Sequence, residues 1–257
     1  MSEPIASESL HWYDQQGRAC YEVPRAKGNG TRPATIADAR KLDLVPSVTL
    51  ILKCAAAPGL ENWKLRKLLE ASLTLPRIAG ETEDAYATRV IADAQEEGKK
   101  AAERGTALHA AIEGWIGGKE GPSEFADHIG KTWEALDQYG INLLNGGSTE
   151  KSFASPLGYG GKIDFHTDEP LVIDFKTKDC IDDSKQLAWD NHCQQLAAYG
   201  FGLGFKKFRA LNVFIGCDDK QVRIHEHAWE DLQRGFAAFR CLLGYWQITK
   251  RFGPHAK

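Results

Sequence analysis

The chain has 257 residues, 42% hydrophobic and 26% charged, enough for one sizeable core without disulfide or metal staples. Its formal net charge of −3, from 32 basic and 35 acidic side chains, excludes the strongly basic make-up of a passive nucleic-acid coat. It is compatible with a carboxylate-rich site that a metal ion would offset. No run of roughly 18 apolar residues is present to span a bilayer.

In chain order, the polar, acidic opening MSEPIASESLHWYDQQ lacks the basic and apolar regions of a secretory signal, so a cytoplasmic protein is expected. HWYDQQGRACYEV reads as a hairpin around Gln16-Gly17, and AKGNGTRPAT as a loop. Pro46 ends the next local element, and Ser47 is placed to cap a short helix over Val48 to Lys53. From Glu61 to Trp115 the pattern is helical, first through Leu60, Trp63, Leu65, Leu68 and Leu69. Glu83 to Ile116 follows with an apolar stripe through Ala87, Val90, Ile91, Ala94, Leu108 and Ile112, closed by Gly117-Gly118. A shorter helix covers Glu124 to Tyr139.

The second half changes character. STEKSFASPLGYGGKIDFHTDEPLVIDFKTKD alternates β-rich runs with turn residues and predicts two or three adjacent strands. A helix from Ser184 to Leu203, strands in ALNVFIGCD and KQVRIHEHA, and a final helix from Glu230 to Arg251 complete an α/β pattern. The expected organisation is one domain over 1–257: a lead-in (1–55), a helical annex (56–145) and an α/β core (146–257). The six cysteines, at 20, 54, 180, 193, 217 and 241, have no CxxC spacing and read as free thiols.

The chemistry concentrates in LVIDFKTKD. Leu171, Val172 and Ile173 suit a strand buried on both faces, and Asp174 and Lys176, two apart, share one face. Taken alone they could be a plain ion pair where the strand leaves the core. In GYGGKIDFH, Asp164 interrupts a second apolar strand joined to the first by a short turn, so both carboxylates can face one point. Two carboxylates, with a backbone carbonyl such as that of Phe175, are hard oxygen ligands of the kind magnesium takes, and Lys176 beside them could orient water and stabilise charge on a phosphate. Gly158, Gly160 and Gly161 would let a phosphodiester backbone come close. Gln195 and Tyr199, four apart on a helix, are polar on one face. His109, in RGTALHAAIEGW, suits either a further metal ligand or a satisfied core histidine. Glu150 is a weaker acidic candidate.

Together RGTALH, GGKIDF, IDFKTK and QLAAY, in that order over residues 104 to 199, resemble the RecB-like branch of the PD-(D/E)XK nucleases: a helical His, a strand Asp, a D/E-x-K strand and a Q-x-x-x-Y helix. LVPSVTLILKCAAAPGLENWK is similar to the opening of phage-type exonucleases and of the mitochondrial genome maintenance exonuclease. The resemblance implies a restriction-endonuclease-like mixed sheet flanked by helices, and hydrolysis of DNA, single-stranded or at duplex ends, with Mg²⁺ or Mn²⁺. It implies metal binding by His109, Asp164 and Asp174, catalysis by Lys176, and phosphate or lysine positioning by Gln195 and Tyr199. Many relatives carry four cysteines for an iron–sulfur cluster, three of them near the C-terminus; this chain has only Cys241 there, and no cluster is expected.

Trp63, Lys64, Lys100 and Arg104 on the annex, with Gly161 and Lys178 near the strands, are the candidate substrate contacts; simple core packing is the other reading of Trp63. A catalytically silent DNA-binding module, serving a recombinase or single-strand-binding protein, is the rival function. Retention of Asp164, Asp174 and Lys176 favours the enzyme.

Overall fold

Short β-rich runs separated by turn residues in the second half build five paired strands, β5 (Gly147–Ser155), β6 (Tyr159–Thr167), β7 (Leu171–Lys178), β8 (Arg209–Gly216) and β9 (Val222–Glu226), with β7 and β8 buried along most of their length. They lie in that order as one mixed sheet, antiparallel throughout except for the parallel β7–β8 pair. The computed structural model describes residues 11–119, 121–143, 147–167 and 169–253, and leaves the side chains of Glu97 and Glu150 undescribed. The opening stretch read for a secretory signal thus falls largely outside the described residues, as does the Glu150 carboxylate.

A parallel pair requires a crossover, and α6 (Asp190–Gly202) supplies it between β7 and β8. It packs with α7 (Trp229–Lys250) and α2 (Val48–Leu52) over one sheet face, around Tyr159, Ile163, Val172, Leu196, Ala210 and Phe239. The other face is covered by the second half of α4 (Glu83–Ile116) and by α5 (Ala126–Gln138), around Leu108, Ile112, Leu136, Phe165, Ile173 and Val213. The α/β sheet between helical layers, with a helical annex ahead of it, is the architecture the sequence predicts. Among the described residues, no helix is long and apolar enough to cross a membrane.

Caps set several ends. Ser47 Oγ accepts from Leu50 N–H at 3.1 Å, starting α2 where the sequence places it. α6 begins six residues later than expected, because Asp182 draws the Ser184 amide and hydroxyl into a turn instead. In the run read as a loop, Thr31–Pro33 forms β3, paired with β2 (Glu22–Pro24) across a tip in which Gly28 and Gly30 take positive φ. The expected hairpin at Trp12 closes on a tight turn at Gly17 with Tyr13 bridged antiparallel to Ala19, and the strand Trp12–Tyr13 (β1) pairs as well with Val45–Pro46 (β4). A short helix, α1 (Ile36–Lys41), lies between β3 and β4 and is started by a capping box from Thr35 to Asp38.

The annex divides in two. From Leu108 onward α4 packs on the sheet, whereas its first half pairs with α3 (Pro58–Thr74) as a helical hairpin. Leu65 and Leu69, part of the helical stripe in the sequence, are more than half exposed on α3, as is Leu73.

Candidate metal and catalytic centre

The site forms where β6 and β7 part. Their registered pairing stops at Phe165–Ile173, and beyond it the Asp164 carboxylate accepts the Phe175 N–H at 2.8 Å. β6 also turns over here: Ile163 joins the core under α6, and Phe165 the core under α4. Asp164 therefore sits between the two layers. On the α4 side, His109 Nε2 lies 2.8 Å from Glu113 Oε1 and 3.3 Å from Asp164 Oδ2, one helical turn bringing His109 and Glu113 together. Their ligand atoms all fall within 4.8 Å of one another. α4 comes this close because Gly105 lacks a side chain: a Cβ there would stand 2.4 Å from Thr177 Oγ1.

Asp174 lies behind this group, on the α6 side, and is buried. Lys176 Nζ donates to its Oδ1 at 2.8 Å and approaches Oδ2 at 2.7 Å. Gln195 Nε2 donates to Oδ1 at 3.0 Å, and Asn212 Nδ2 to Oδ2 at 2.8 Å. Burial pushes the Asp174 carboxyl up; the Lys176 ammonium opposes this and the charge on Asp164 adds to it. Gln195 also accepts from Lys176 Nζ at 3.2 Å and donates to Tyr199 Oη at 3.0 Å, so the helical pair Gln195–Tyr199 holds the lysine from behind. Burial, with Asp174 and Asp164 nearby, raises the Tyr199 phenol and keeps it protonated.

A cleft of about 530 Å³ opens onto the site, lined by His109, Glu113, Lys162, Asp164, Lys176 and Thr177 among others. Another, of about 590 Å³, lies at the opposite ends of β7 and β8; its Arg209 is tied to Glu226 at 2.7 Å.

No protein-family model matches the chain, and no curated protein matches it. Among solved structures it is similar to a protein from Eubacterium rectale provisionally named an exonuclease, at 12% identity over 58% of this chain and 68% of that one, with a TM-score of 0.42. It is also similar to the crystal structure of SSO0001, at 15% identity over 75% of this chain and 86% of that one, with a TM-score of 0.31. Likenesses this distant carry neither a family nor an activity to the chain.

The local chemistry can be judged on its own. Burial alone would lower the His109 pKa, but hydrogen bonds and charge from Asp164 and Glu113 outweigh it and raise it to about 10. A protonated imidazole thus stands between two carboxylates, a positive charge where a cation would sit. One imidazole nitrogen and two carboxylates suit a small divalent metal ion. Of the residues expected to bind metal, the structure brings His109 and Asp164 together, adds Glu113, and keeps Asp174 in a separate, donor-saturated position one layer away. Phe175 contributes its N–H to Asp164, and its ring meets that of His109 in a T-shaped contact.

The candidate substrate contacts scatter. Arg104 is engaged by Asp179 and Asp218, each at 2.6 Å. Lys64 and Lys100 pair along their own helices with Glu61 and Glu96, at 3.2 and 2.7 Å, and Trp63 leans on Gly98 of α4. Lys178 is exposed at the end of β7. The glycines serve packing: a Cβ on Gly161 would lie 2.7 Å from the Tyr199 ring, one on Gly160 2.7 Å from Phe153 O, and Gly158 closes a turn at positive φ. Sequence reasoning missed Glu113 and Asn212. The i,i+4 spacing of His109 and Glu113 was a usable signal; Asn212, facing Asp174 directly in the parallel ladder, had none.

Proposed function

We propose that the chain is a divalent-cation-dependent deoxyribonuclease of the PD-(D/E)XK, RecB-like type, acting as an exonuclease. The reading rests on one observation: the His109–Glu113–Asp164 cluster opens onto the same cleft as Lys176, whose ammonium is already held against Asp174. His109, Asp164 and Glu113 would hold Mg²⁺ or Mn²⁺, with the Phe175 carbonyl as a further oxygen, while Asp174, its oxygens taken by Lys176, Gln195 and Asn212, would anchor the lysine. A cation so held supplies Lewis acidity toward a phosphoryl oxygen and toward water.

The chain's own groups do the rest. His109 releases its proton to become a ligand, relieving the charge it balances now. Lys176 would offset negative charge gathering on the phosphoryl oxygens as water's oxygen bonds to phosphorus and loses a proton to solvent, and the P–O3′ bond breaks with the departing oxygen taking a proton from solvent. Gln195 and Tyr199 fix where the lysine stands, and Lys162 lines the same cleft. DNA, single-stranded or at duplex ends, is the proposed substrate, and the cell interior the proposed location.

A DNA-binding module that does not cut is the second reading. It draws on the fact that Lys176, Gln195 and Asn212 together occupy both oxygens of Asp174. Degradation of end-labelled single- and double-stranded DNA in Mg²⁺, Mn²⁺ or EDTA separates the two. Metal-dependent cutting by wild type that is lost in Lys176→Ala supports the nuclease. Binding without cutting in any metal supports the module.

A further inference from the structure

Behind Asp174 runs a second line of polar groups, buried in the sheet, that the proposed chemistry does not use. Asn212 faces Asp174 in the parallel β7–β8 register and is completely buried. Its Nδ2 donates to Asp174 Oδ2 at 2.8 Å, and its Oδ1 lies 2.7 Å from Nε2 of His227, just past the end of β9 and also buried. The directions of these bonds are fixed by chemistry. A carboxylate already receiving an ammonium can only accept, so the amide must turn its NH₂ toward Asp174 and its oxygen toward His227. That oxygen can only accept, so His227 must carry its hydrogen on Nε2.

A half-turn flip would set the Asn212 oxygen against the Asp174 carboxylate, an arrangement the carboxylate already disfavours. The hydrogen bond from His227 adds to that preference and holds the amide plane in place. Burial, reinforced by His225, holds the His227 pKa down to about 4, so the ring stays neutral. Its hydrogen is placed by the tautomer and not by the pH of ordinary buffers.

We propose that Asn212 and His227 are positioning residues for the nuclease site: His227 orients the Asn212 amide, and Asn212 fixes the rotation of the Asp174 carboxylate against which Lys176 is aligned. The inference rests on the nuclease reading for its effect on rate, but the relay itself has a readout of its own. Partners one step behind a metal site or catalytic group contribute about 10–100-fold to affinity or activity by setting geometry.

The test compares the full chain with His227→Phe, His227→Gln and Asn212→Ser. Glutamine can still donate from Nε2 to the Asn212 oxygen; phenylalanine cannot. With end-labelled DNA and Mg²⁺, kcat should fall about 10–100-fold in His227→Phe and Asn212→Ser, with KM for DNA unchanged, and His227→Gln should stay within a few-fold of wild type. Equal loss in the Gln and Phe variants would overturn the relay, as would wild-type kcat in both Phe and Ser. If His227→Phe does not fold, Asn212→Ser against His227→Gln carries the same comparison. The Asn212 side-chain amide is followed in parallel by ¹H–¹⁵N NMR in EDTA. One slowly exchanging NH₂ pair in wild type and His227→Gln, shifted or broadened in His227→Phe, supports the relay; an unchanged pair in all three refutes it. A wild type that cuts nothing ends the nuclease reading and leaves the relay to be decided by the amide signal.

Discussion

Replacing Lys176 by methionine keeps most of the stem and removes the ammonium that reaches both oxygens of Asp174, at 2.8 and 2.7 Å. Gln195 and Asn212 remain as neutral donors to a buried carboxylate. Burial already raises the Asp174 pKa and Lys176 holds it down; without the lysine it rises further. A carboxyl whose folded pKa exceeds its unfolded value binds more protons in the native state, so stability falls as pH rises through that window and returns on acidification. Breaking one side of a buried pair costs about 3–5 kcal/mol. Uptake of a proton caps the loss at about 4 kcal/mol at pH 7, the cost of protonating a carboxyl of ordinary pKa. Because the Lys176 side chain keeps 27% exposure, water relieves part of this, and about 3 kcal/mol is expected at pH 7. At pH 5 the cap shrinks to about 1.5 kcal/mol, each pH unit being worth about 1.4. Urea unfolding of both proteins in EDTA at the two pH values measures the difference. A deficit of the same size at pH 5 and pH 7, or none at pH 7, would refute the account of Asp174 as a buried charge held by Lys176.

His109, raised to about 10 from the imidazole's ordinary 6.5, contributes stability that is complete below pH 6.5 and lost as pH climbs through 10 in the absence of metal. Mn²⁺ binding at pH 7 should therefore release about one proton, seen by calorimetry in buffers of different ionisation enthalpy, and His109→Gln should abolish the release; the same release in the variant would count against His109 as the ligand. Gly161→Ala drives a Cβ to 2.7 Å from the Tyr199 ring and should cost about 1–3 kcal/mol in urea, whereas a neutral result would mean the ring has room to move. Leu65→Glu combined with Leu69→Glu should shift stability by no more than about 0.5 kcal/mol, since both leucines stand in water on α3; a larger loss by thermal melt would place that face against something. Arg104→Gln should cost under about 1 kcal/mol and lose most of that difference in 1 M salt, its ion pairs with Asp179 and Asp218 being exposed.

Much of this protein was legible in local pattern. Short apolar, β-rich runs between turn residues marked β6, β7 and β8, and the 3.6-residue stripe with closing glycines bounded α4, because such runs and periodicities are properties of neighbouring residues. The same rule put Asp174 and Lys176 on one strand face and Gln195 and Tyr199 on one helix face, and those four side chains do meet. Local pattern failed where a side chain's neighbour came from elsewhere in the chain. Leu65, Leu69 and Leu73 have core composition but no layer to cover them, since α3 extends beyond the sheet. Gly161 looked like room for a substrate and is room for Tyr199. Arg104 looked like a free cation until the ends of β7 and β8 brought Asp179 and Asp218 beneath it. Glu113 and Asn212 acquired their places from the close packing of α4 on β7 and from the parallel β7–β8 register. Sequence determined which faces carry charge and which near neighbours share them, because that depends on residues a few positions apart; tertiary structure alone decided which distant charges meet, because their separation in space is not encoded by spacing along the chain.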